Sequence, residues 1–523
     1  MLSAAIYDNS GQGPGQLLPV ELAPSSLCGG EMAAQIEIPL PALDLWEQPS
    51  SLRVVVVSNR VARVEPDDPV AGGLAAALLP VIKDSGAIWV GSSGQAADAT
   101  QARDFAKIES LGAGALVTID MPAKHYRGYY EGFANSALWP ALHSRPDLIH
   151  VTGDDYTSYR EINAFMARGL LRFNGPDAAF WIHDYHFLTL GAELRRLEVN
   201  RPIGLFLHTP WADRRTFVAV PHHAELAQAM LAYDLIGFQT VEDRHNFEDY
   251  LQASLGLKVI DGTVASKWGV TRLAAFPIGI DVDDFSTRAI KAVGRPEVVR
   301  LCESLHGAKL VVGVDRLDYS KGLANRMCAI DRVLEMEPSL KRKMSLLQVA
   351  VPSRGNIKAY RELKTELAAL IGEINGHHGE VDWMPIRYLN KGFSQLTLAG
   401  FYRIASVGLV TPLHDGMNLV AKEYVAAQNP IDPGVLVLSS FAGAAKELDA
   451  ALQVNPHDVD GMARQITTAL SMSLEERRER WRSMVGKLRA TSLQNWFSDF
   501  LNTLSDVQRA ALSSATAPIE VAI

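Results

Sequence analysis

The sequence predicts an α/β protein built from two doubly wound halves facing each other across a cleft. Three observations predict it. Short β-branched runs alternate with longer amphipathic segments, and polar residues collect where those runs end. The alternation then restarts after a Pro/Gly/Asp-rich connector near the middle of the chain.

The runs that read as strands are Val54–Val57, Ala87–Val90, Phe180–Ile182, Ile203–Leu207, Leu235–Phe238, Leu310–Gly313, Leu346–Ala350, Val407–Val410 and Val435–Leu438. Each is apolar without alternation, as strands of a parallel sheet covered on both faces require. Val57 leads into Ser58-Asn59-Arg60, Ile182 into His183-Asp184-Tyr185-His186, and Leu207 into His208-Thr209-Pro210. Gly313 leads to Asp315-Arg316, Ala350 to Ser353-Arg354, and Val410 to His414-Asp415-Gly416. Carboxyl ends of strands are where open α/β sheets bind ligands, so six such ends in series point to a cleft.

The connector is Pro277-Ile278-Gly279-Ile280-Asp281. It places one half at 52–287 and the other at 288–485, followed by a C-terminal helix at 486–510 and a tail at 511–523. Charged helices from about Leu474 to Leu504 carry Trp481 and Trp496 as anchors. Residues 1–51 are rich in Gly, Pro, Ser and Ala without a period, and read as a mobile extension.

Composition narrows the function classes. With 523 residues, 48% hydrophobic and 21% charged, the chain is an ordinary soluble enzyme in composition. A net charge of −9 argues against a nucleic-acid partner. Cys28, Cys302 and Cys328 form no CxxC pair, so a reducing cytoplasm is expected. No apolar run approaches the ~18 residues that span a bilayer, and no membrane partner is expected. Asp8, Pro14 and Pro19 interrupt any signal-peptide pattern.

Several motifs carry chemistry. Gly72 and Gly73 precede an Ala/Leu-rich helix and let backbone amides approach an anion, or simply form a turn. A nicotinamide fingerprint is missing, since Gly112-Ala113-Gly114 lacks the third glycine. In Arg316-Leu317-Asp318-Tyr319-Ser320-Lys321-Gly322, Arg316 and Lys321 together could neutralise a diphosphate. The alternative is a structural Arg316–Asp318 pair. A Schiff-base role for Lys321 lacks the apolar surroundings it needs.

The strongest local signal is Asp415-Gly416-Met417-Asn418-Leu419-Val420-Ala421-Lys422-Glu423. A strand ends, a turn follows, and a helix is expected from near Met417. Its first amides suit a diphosphate or sugar hydroxyls, and Glu423 shares a face with Leu419 and suits a ribose diol. Otherwise Asp415 is a plain N-cap and Glu423 a solvated helix residue. His183, Asp184 and His186 invite a zinc reading, but no third ligand cluster accompanies them, so no metal is expected. Asp281-Val282-Asp283 matches a metal-binding Asp-x-Asp, yet its place in the connector favours a turn.

Taken in order, Ser58-Asn59-Arg60, Gly72-Gly73, Asn135 to Pro140, Trp181 to His186, Gly237 to Thr240, Arg316 to Gly322, Pro352 to Gly355 and Asp415 to Tyr424 resemble the trehalose-6-phosphate synthase family. The resemblance spans residues 52 to 500. It implies a GT-B fold, two Rossmann-like domains with a cofactor-free and metal-independent site between them, and a C-terminal helix packed back on the first domain. It implies transfer of glucose from a nucleotide-diphosphate glucose to glucose 6-phosphate with retention, uridine diphosphate glucose being the first expectation and the guanosine and adenosine donors its alternatives.

By the same resemblance, Arg60, Tyr130, Trp139, Asp184 and Arg354 would hold the acceptor, Arg60 and Arg354 facing its phosphate. Gly72 and Gly73 would close over the donor, Arg316 and Lys321 would take the diphosphate, and Phe393 would lie near the base. Asp415, Gly416, Met417, Asn418, Leu419, Val420, Ala421, Lys422 and Glu423 would bind the rest of the donor. Asp184, His208, Arg316 and Lys321 would act at the reacting centre, His208 binding the donor hexose. Where the family commonly reads Ile-Pro-Phe-Pro after this histidine, this chain has Thr209-Pro210-Trp211-Ala212, followed by Asp213-Arg214-Arg215, on a loop expected to border the acceptor. Alternatives are a sister enzyme using another acceptor, such as glycerol 3-phosphate or a cyclitol, and a non-catalytic sugar-phosphate-binding regulator. A homo-oligomer is left open.

Overall fold

The computed structural model describes residues 53–61, 73–98 and 106–516. The extension at 1–51, Gly72 and the last seven residues of the expected tail lie outside them. All nine expected runs are strands, and they fall into two sheets.

The first sheet contains β1 (Arg53–Arg60), β2 (Ile88–Ala97), β3 (Ala106–Leu111), β4 (Gly114–Pro122), β5 (Ala178–His183), β6 (Ile203–Phe206), β7 (Leu235–Phe238), β8 (Val259–Ile260), β9 (Thr263–Ser266) and β10 (Gly269–Ala275). Their order is β3-β4-β2-β1-β5-β6-β7-β10-β9-β8. The central β1 pairs parallel with both β2 and β5. Val54 to Val57 are buried on both faces, which explains the unbroken valine run. Gly112-Ala113, weighed above as part of a nucleotide fingerprint, is the turn of the antiparallel β3–β4 hairpin.

The second sheet contains β11 (Lys309–Arg316), β12 (Met344–Val351), β13 (Ile386–Leu389), β14 (Val407–Val410), β15 (Val435–Ser439) and β16 (Leu452–Val454). All five pairings are parallel, in the order β13-β12-β11-β14-β15-β16. Asp281 is the N-cap of the helix Val282–Ala292 and accepts from the Asp284 amide at 2.9 Å, so the Asp-x-Asp motif is a helix start.

The C-terminal segment forms the helices Leu474–Ala490 and Leu493–Thr516. The second lies against the first sheet, with Trp496 4.8 Å from Trp181 and Phe500 5.3 Å from Phe276 between ring centroids. Trp481 is partly buried and its Nε1 donates to the Val425 carbonyl at 3.0 Å. Among the described residues no helix is long and apolar enough to cross a membrane.

Candidate active site

The carboxyl ends of the two sheets meet. From the first sheet come the segments after β5 and β6, and from the second those after β11, β12 and β14. Gly416 shows how closely they approach. A Cβ there would lie 2.3 Å from the His208 carbonyl oxygen and 2.9 Å from Pro210 N, so only glycine fits.

Arg354 is the centre of a buried cluster at this junction. It follows β12, its side chain is 6% exposed, and its guanidinium lies 3.9 Å from the Trp139 ring centroid. Nη1 donates to Asp318 at 2.8 Å and to the Tyr360 hydroxyl at 2.6 Å, and Nη2 donates to the Tyr185 hydroxyl at 3.1 Å. Its Nε is buried and unpartnered. Asp318 also accepts from Trp139 Nε1 at 3.4 Å across the cleft. Burial opposes its charge, but Arg354 and Arg316 outweigh burial and hold the carboxyl well below its usual range.

Tyr130 and Trp139 reach this cluster through an unusual element. Gly128–Leu138 is a π-helix, a form that recurs at functional sites. Gly132 lets it lie against the helix Asp155–Leu170, since a Cβ there would meet Asp155 Cγ at 2.4 Å. Tyr130 is stacked between Tyr126 (5.7 Å) and His186 (5.9 Å). Burial, with Arg354 and Arg316 nearby, depresses His186 to about 3, and its Nε2 has no partner. Arg60 stands at the rim, exposed at the end of β1 with its guanidinium against Gly94. Its charge bears on Tyr126, which stacks on Tyr130.

Asp184 turns at the end of β5 with φ 74°. Burial pushes its carboxyl up to about 6, against the amides of Tyr185, His208 and Thr209. The His208 amide donates to it at 3.3 Å. Burial also drives His208 down to about 3, so the ring is neutral. Gln239 Nε2 faces His208 Nδ1 at 3.5 Å, while Gln239 Oε1 accepts from the Ile278 amide. That assignment leaves His208 Nε2–H to donate to His183 Nδ1 at 3.0 Å. Both ring nitrogens of His208 are therefore engaged within the protein.

Lys321 and Asp415 are paired through Nζ and Oδ2, and Asn418 Nδ2 adds a bond to the same carboxylate oxygen at 3.0 Å. Burial opposes the Asp415 charge, but Lys321 outweighs it and its carboxyl is lowered. Behind this pair, the fully buried Arg326 binds Asp315, Gln348 (2.9 Å) and Thr411 (3.0 Å), tying the ends of β11, β12 and β14 together. Arg316 lies 5.1 Å from the Trp139 ring and 3.9 Å from Asp318, so the structural pair weighed from sequence is present while its side chain stays 34% exposed.

The run Asp415 to Glu423 divides. Its helix is Leu419–Ala427, two residues later than expected, because Asn418 adopts a left-handed conformation and caps it through Oδ1 to the Ala421 amide. Met417 and Ala421 are core residues, and Leu419 and Val420 pack against that core. Lys422 is fully buried and turned away, its Nζ on the Ile278 carbonyl (2.7 Å) and Glu447 (2.6 Å). Glu423 is lifted by burial to about 7, against a Gln395 hydrogen bond and the Arg288 charge. Phe393 stands at this same corner, edge-on to Phe401 at 5.3 Å. Gly73 begins the helix Gly73–Ser85 after β1.

The backbone of the loop after His208 lies against Gly416 at the junction of the sheets, while its Trp211 side chain turns into the core. Trp211 is fully buried against Phe217 (4.6 Å) and Phe247 (4.8 Å), and its amide donates to Asp243 at 2.7 Å. Its departure from the family pattern is a core substitution, because the ring packs under the loop. Sequence reasoning did not reach Tyr360, which lies on the helix Lys358–His378 with no motif around it. Tyr185 and His186 sat inside a flagged motif, yet their place beside Arg354 follows only from packing.

Comparison with known proteins shows the family of the chain. The family model of glycosyltransferase family 20 matches residues 53–506. A trehalose-6-phosphate synthase of Klebsiella pneumoniae is 42% identical over 456 residues, covering 87% of this chain and 95% of its own. One of Sinorhizobium fredii is 41% identical, with 87% and 98% covered. Among solved structures, a UDP-forming α,α-trehalose-phosphate synthase of Burkholderia xenovorans in complex with glucose-6-phosphate superposes with a TM-score of 0.83 at 43% identity, covering 87% of this chain and all of that one. An E. coli structure bound with UDP-2-fluoro glucose gives 0.81 at 39%, covering 87% and 99%. The chain therefore belongs to glycosyltransferase family 20, whose relatives share its two-sheet α/β fold.

Proposed function

We propose that the chain transfers the glucosyl group of UDP-glucose to glucose 6-phosphate with retention, giving α,α-trehalose 6-phosphate and UDP. The observation that carries this reading is the Arg354–Trp139 stack at the junction of the sheets, with Arg354 Nε and His186 Nε2 buried and unpartnered beside it. Buried polar atoms are normally satisfied, so such a pair of open positions suits an acceptor phosphate.

In this reading residues 52–287 form the acceptor domain and 288–485 the donor domain, with the terminal helix returning to the first. Arg354 binds the phosphate, Tyr130 and Trp139 wall the hexose, and Arg60 closes the rim. Arg316 and Lys321 bear on the diphosphate, where charge grows as the glycosidic bond breaks. The bond from C1 to the diphosphate breaks while C1 bonds the acceptor oxygen. The acceptor proton passes to the departing phosphate on the same face. Asp184 orients hydroxyls at the reacting centre. His208 holds Asp184 through its amide, and its ring positions that segment. Cys302 and Cys328 are free thiols, in keeping with a cytoplasmic reaction.

The test is a panel of nucleotide sugars and acceptors with the product identified by NMR. A product other than trehalose 6-phosphate would favour a sister enzyme, and binding of sugar phosphate without turnover would favour a regulator. Trp211 is buried in the core, so the glucose 6-phosphate reading does not depend on its ring.

A further inference from the structure

His143 is buried beside Trp139 and has no part in the proposed transfer. It closes the short helix Trp139–Leu142, which continues the π-helix Gly128–Leu138. Its ring lies 3.9 Å from the Trp139 ring between centroids, tilted by 31°, and its Nδ1 is 2.8 Å from the Trp139 carbonyl oxygen. A carbonyl only accepts, so Nδ1 carries the proton and the tautomer is set. Burial drives the ring down to about 3, against the Asp318 charge, so it is neutral. The turn that follows is fixed as well. The Arg145 amide donates to the Pro140 carbonyl at 2.8 Å, Ser144 is left-handed with φ 57°, and Ser144 Oγ meets His414 Nδ1 at 3.0 Å.

The other contacts of the Trp139 ring come from distant parts of the chain. Arg354 lies 3.9 Å and Arg316 5.1 Å from its centroid, and Asp318 accepts from Nε1 at 3.4 Å. All three stand at the carboxyl ends of β11 and β12. Tyr185, after β5, is 5.5 Å away. His143 is four residues along from Trp139, so its contact forms with the local helix and does not depend on how the sheets meet. Two guanidiniums already face the indole, and a neutral imidazole adds no third charge there. We propose that His143 is a positioning residue for the acceptor, its ring and its Nδ1–H holding the Trp139 indole independently of the second sheet. The inference rests on the reading of Trp139 as a wall of the acceptor hexose. An indole already held loses less freedom when the sugar binds.

The test is steady-state kinetics of the full chain with glucose 6-phosphate and UDP-glucose. The proteins are wild type, His143→Ala, His143→Phe, Trp139→Leu and the double variant of Trp139→Leu with His143→Ala, with thermal unfolding as a folding check. His143→Ala should raise KM for glucose 6-phosphate about tenfold, with kcat and KM for UDP-glucose nearly unchanged. His143→Phe keeps a ring without the Nδ1 donor and should fall between. It takes the place of the alanine variant throughout if that one fails to fold. Once Trp139 is leucine, the change at His143 should add no further rise. An unchanged acceptor KM in His143→Ala, or the same added rise with Trp139 already replaced, overturns the inference. Equal losses for both substrates would make His143 merely structural and would also overturn it. A normal acceptor KM in Trp139→Leu would remove the reading of Trp139, and the inference with it.

Discussion

Arg354 and Trp139 come from opposite sides of the cleft, and the guanidinium of one lies 3.9 Å from the ring centroid of the other. Desolvated stacks of this kind contribute about 2 kcal/mol. Together with Asp318, which binds both residues, the stack joins the segments after β11 and β12 to Trp139.

Replacing Arg354 with alanine should lower catalytic efficiency for glucose 6-phosphate by about tenfold to a hundredfold, since charged hydrogen bonds contribute roughly 1.5–3 kcal/mol. Unphosphorylated glucose, a poor acceptor throughout, should be nearly indifferent. Comparing both acceptors on one variant cancels any general effect on folding. An equal fall for both would assign Arg354 to the fold or to the donor.

Lys321→Ala should lower turnover more than acceptor affinity, because leaving-group charge grows in the transition state. It also strands the Asp415 carboxylate, 13% exposed, so stability should drop by about 3 kcal/mol. Adding Asp415→Asn should restore much of the stability and none of the turnover. Recovery of turnover in the double variant would show that Lys321 serves only its partner.

Asp184 makes the folded state weaker at neutral pH. Its carboxyl lies at about 6 in the folded chain and at about 4 when unfolded. Its contribution is thus fully present below about pH 4 and is lost as pH rises through about 6. The difference corresponds to roughly 2–3 kcal/mol. Asp184→Asn should therefore unfold at a higher temperature than wild type at neutral pH, match it in acid, and lose turnover. A destabilised variant at neutral pH would contradict this sign.

Gly416→Ala introduces a methyl group 2.3 Å from the His208 carbonyl oxygen. Overpacking of this kind costs about 1–3 kcal/mol, and parting the two loops relieves it. Efficiency should fall about tenfold or more with both substrates. Normal activity would mean that the loops do not approach this closely during turnover.

In the proposed reading Arg316, Lys321 and a helix N-terminus bear on the diphosphate, so chelation should leave activity intact. Loss of activity in EDTA, restored by magnesium or manganese, would sink this expectation.

The chain by itself determined the strands and the residues at their ends. The valines of β1 are a continuous run because both faces are buried, and that pattern is local. So is the placement of Arg60, Asp184, Arg316 and Asp415, each within a few residues of a strand's carboxyl end. The strands β3, β4, β8 to β10, β13 and β16 were not anticipated. The β3–β4 hairpin and the β8–β10 meander are antiparallel segments at the edges of the first sheet, and β13 and β16 are short edge strands of the second. None presents the long apolar run of a central strand.

Tertiary structure alone decided which side chains face one another. Lys422 and Glu423 are adjacent in sequence, yet helical geometry sends one to Ile278 and Glu447 and the other to Gln395. Trp211 stands in a loop that reads as part of the site, but the space beneath that loop is apolar and takes the ring. Tyr360 carries no sequence signal, because its role depends on a helix laid beside Asp318 and Arg354. The sequence sets each residue's periodicity and element. Which faces then meet is settled by long-range packing, which brings Trp139 against Arg354 and Gly416 against His208.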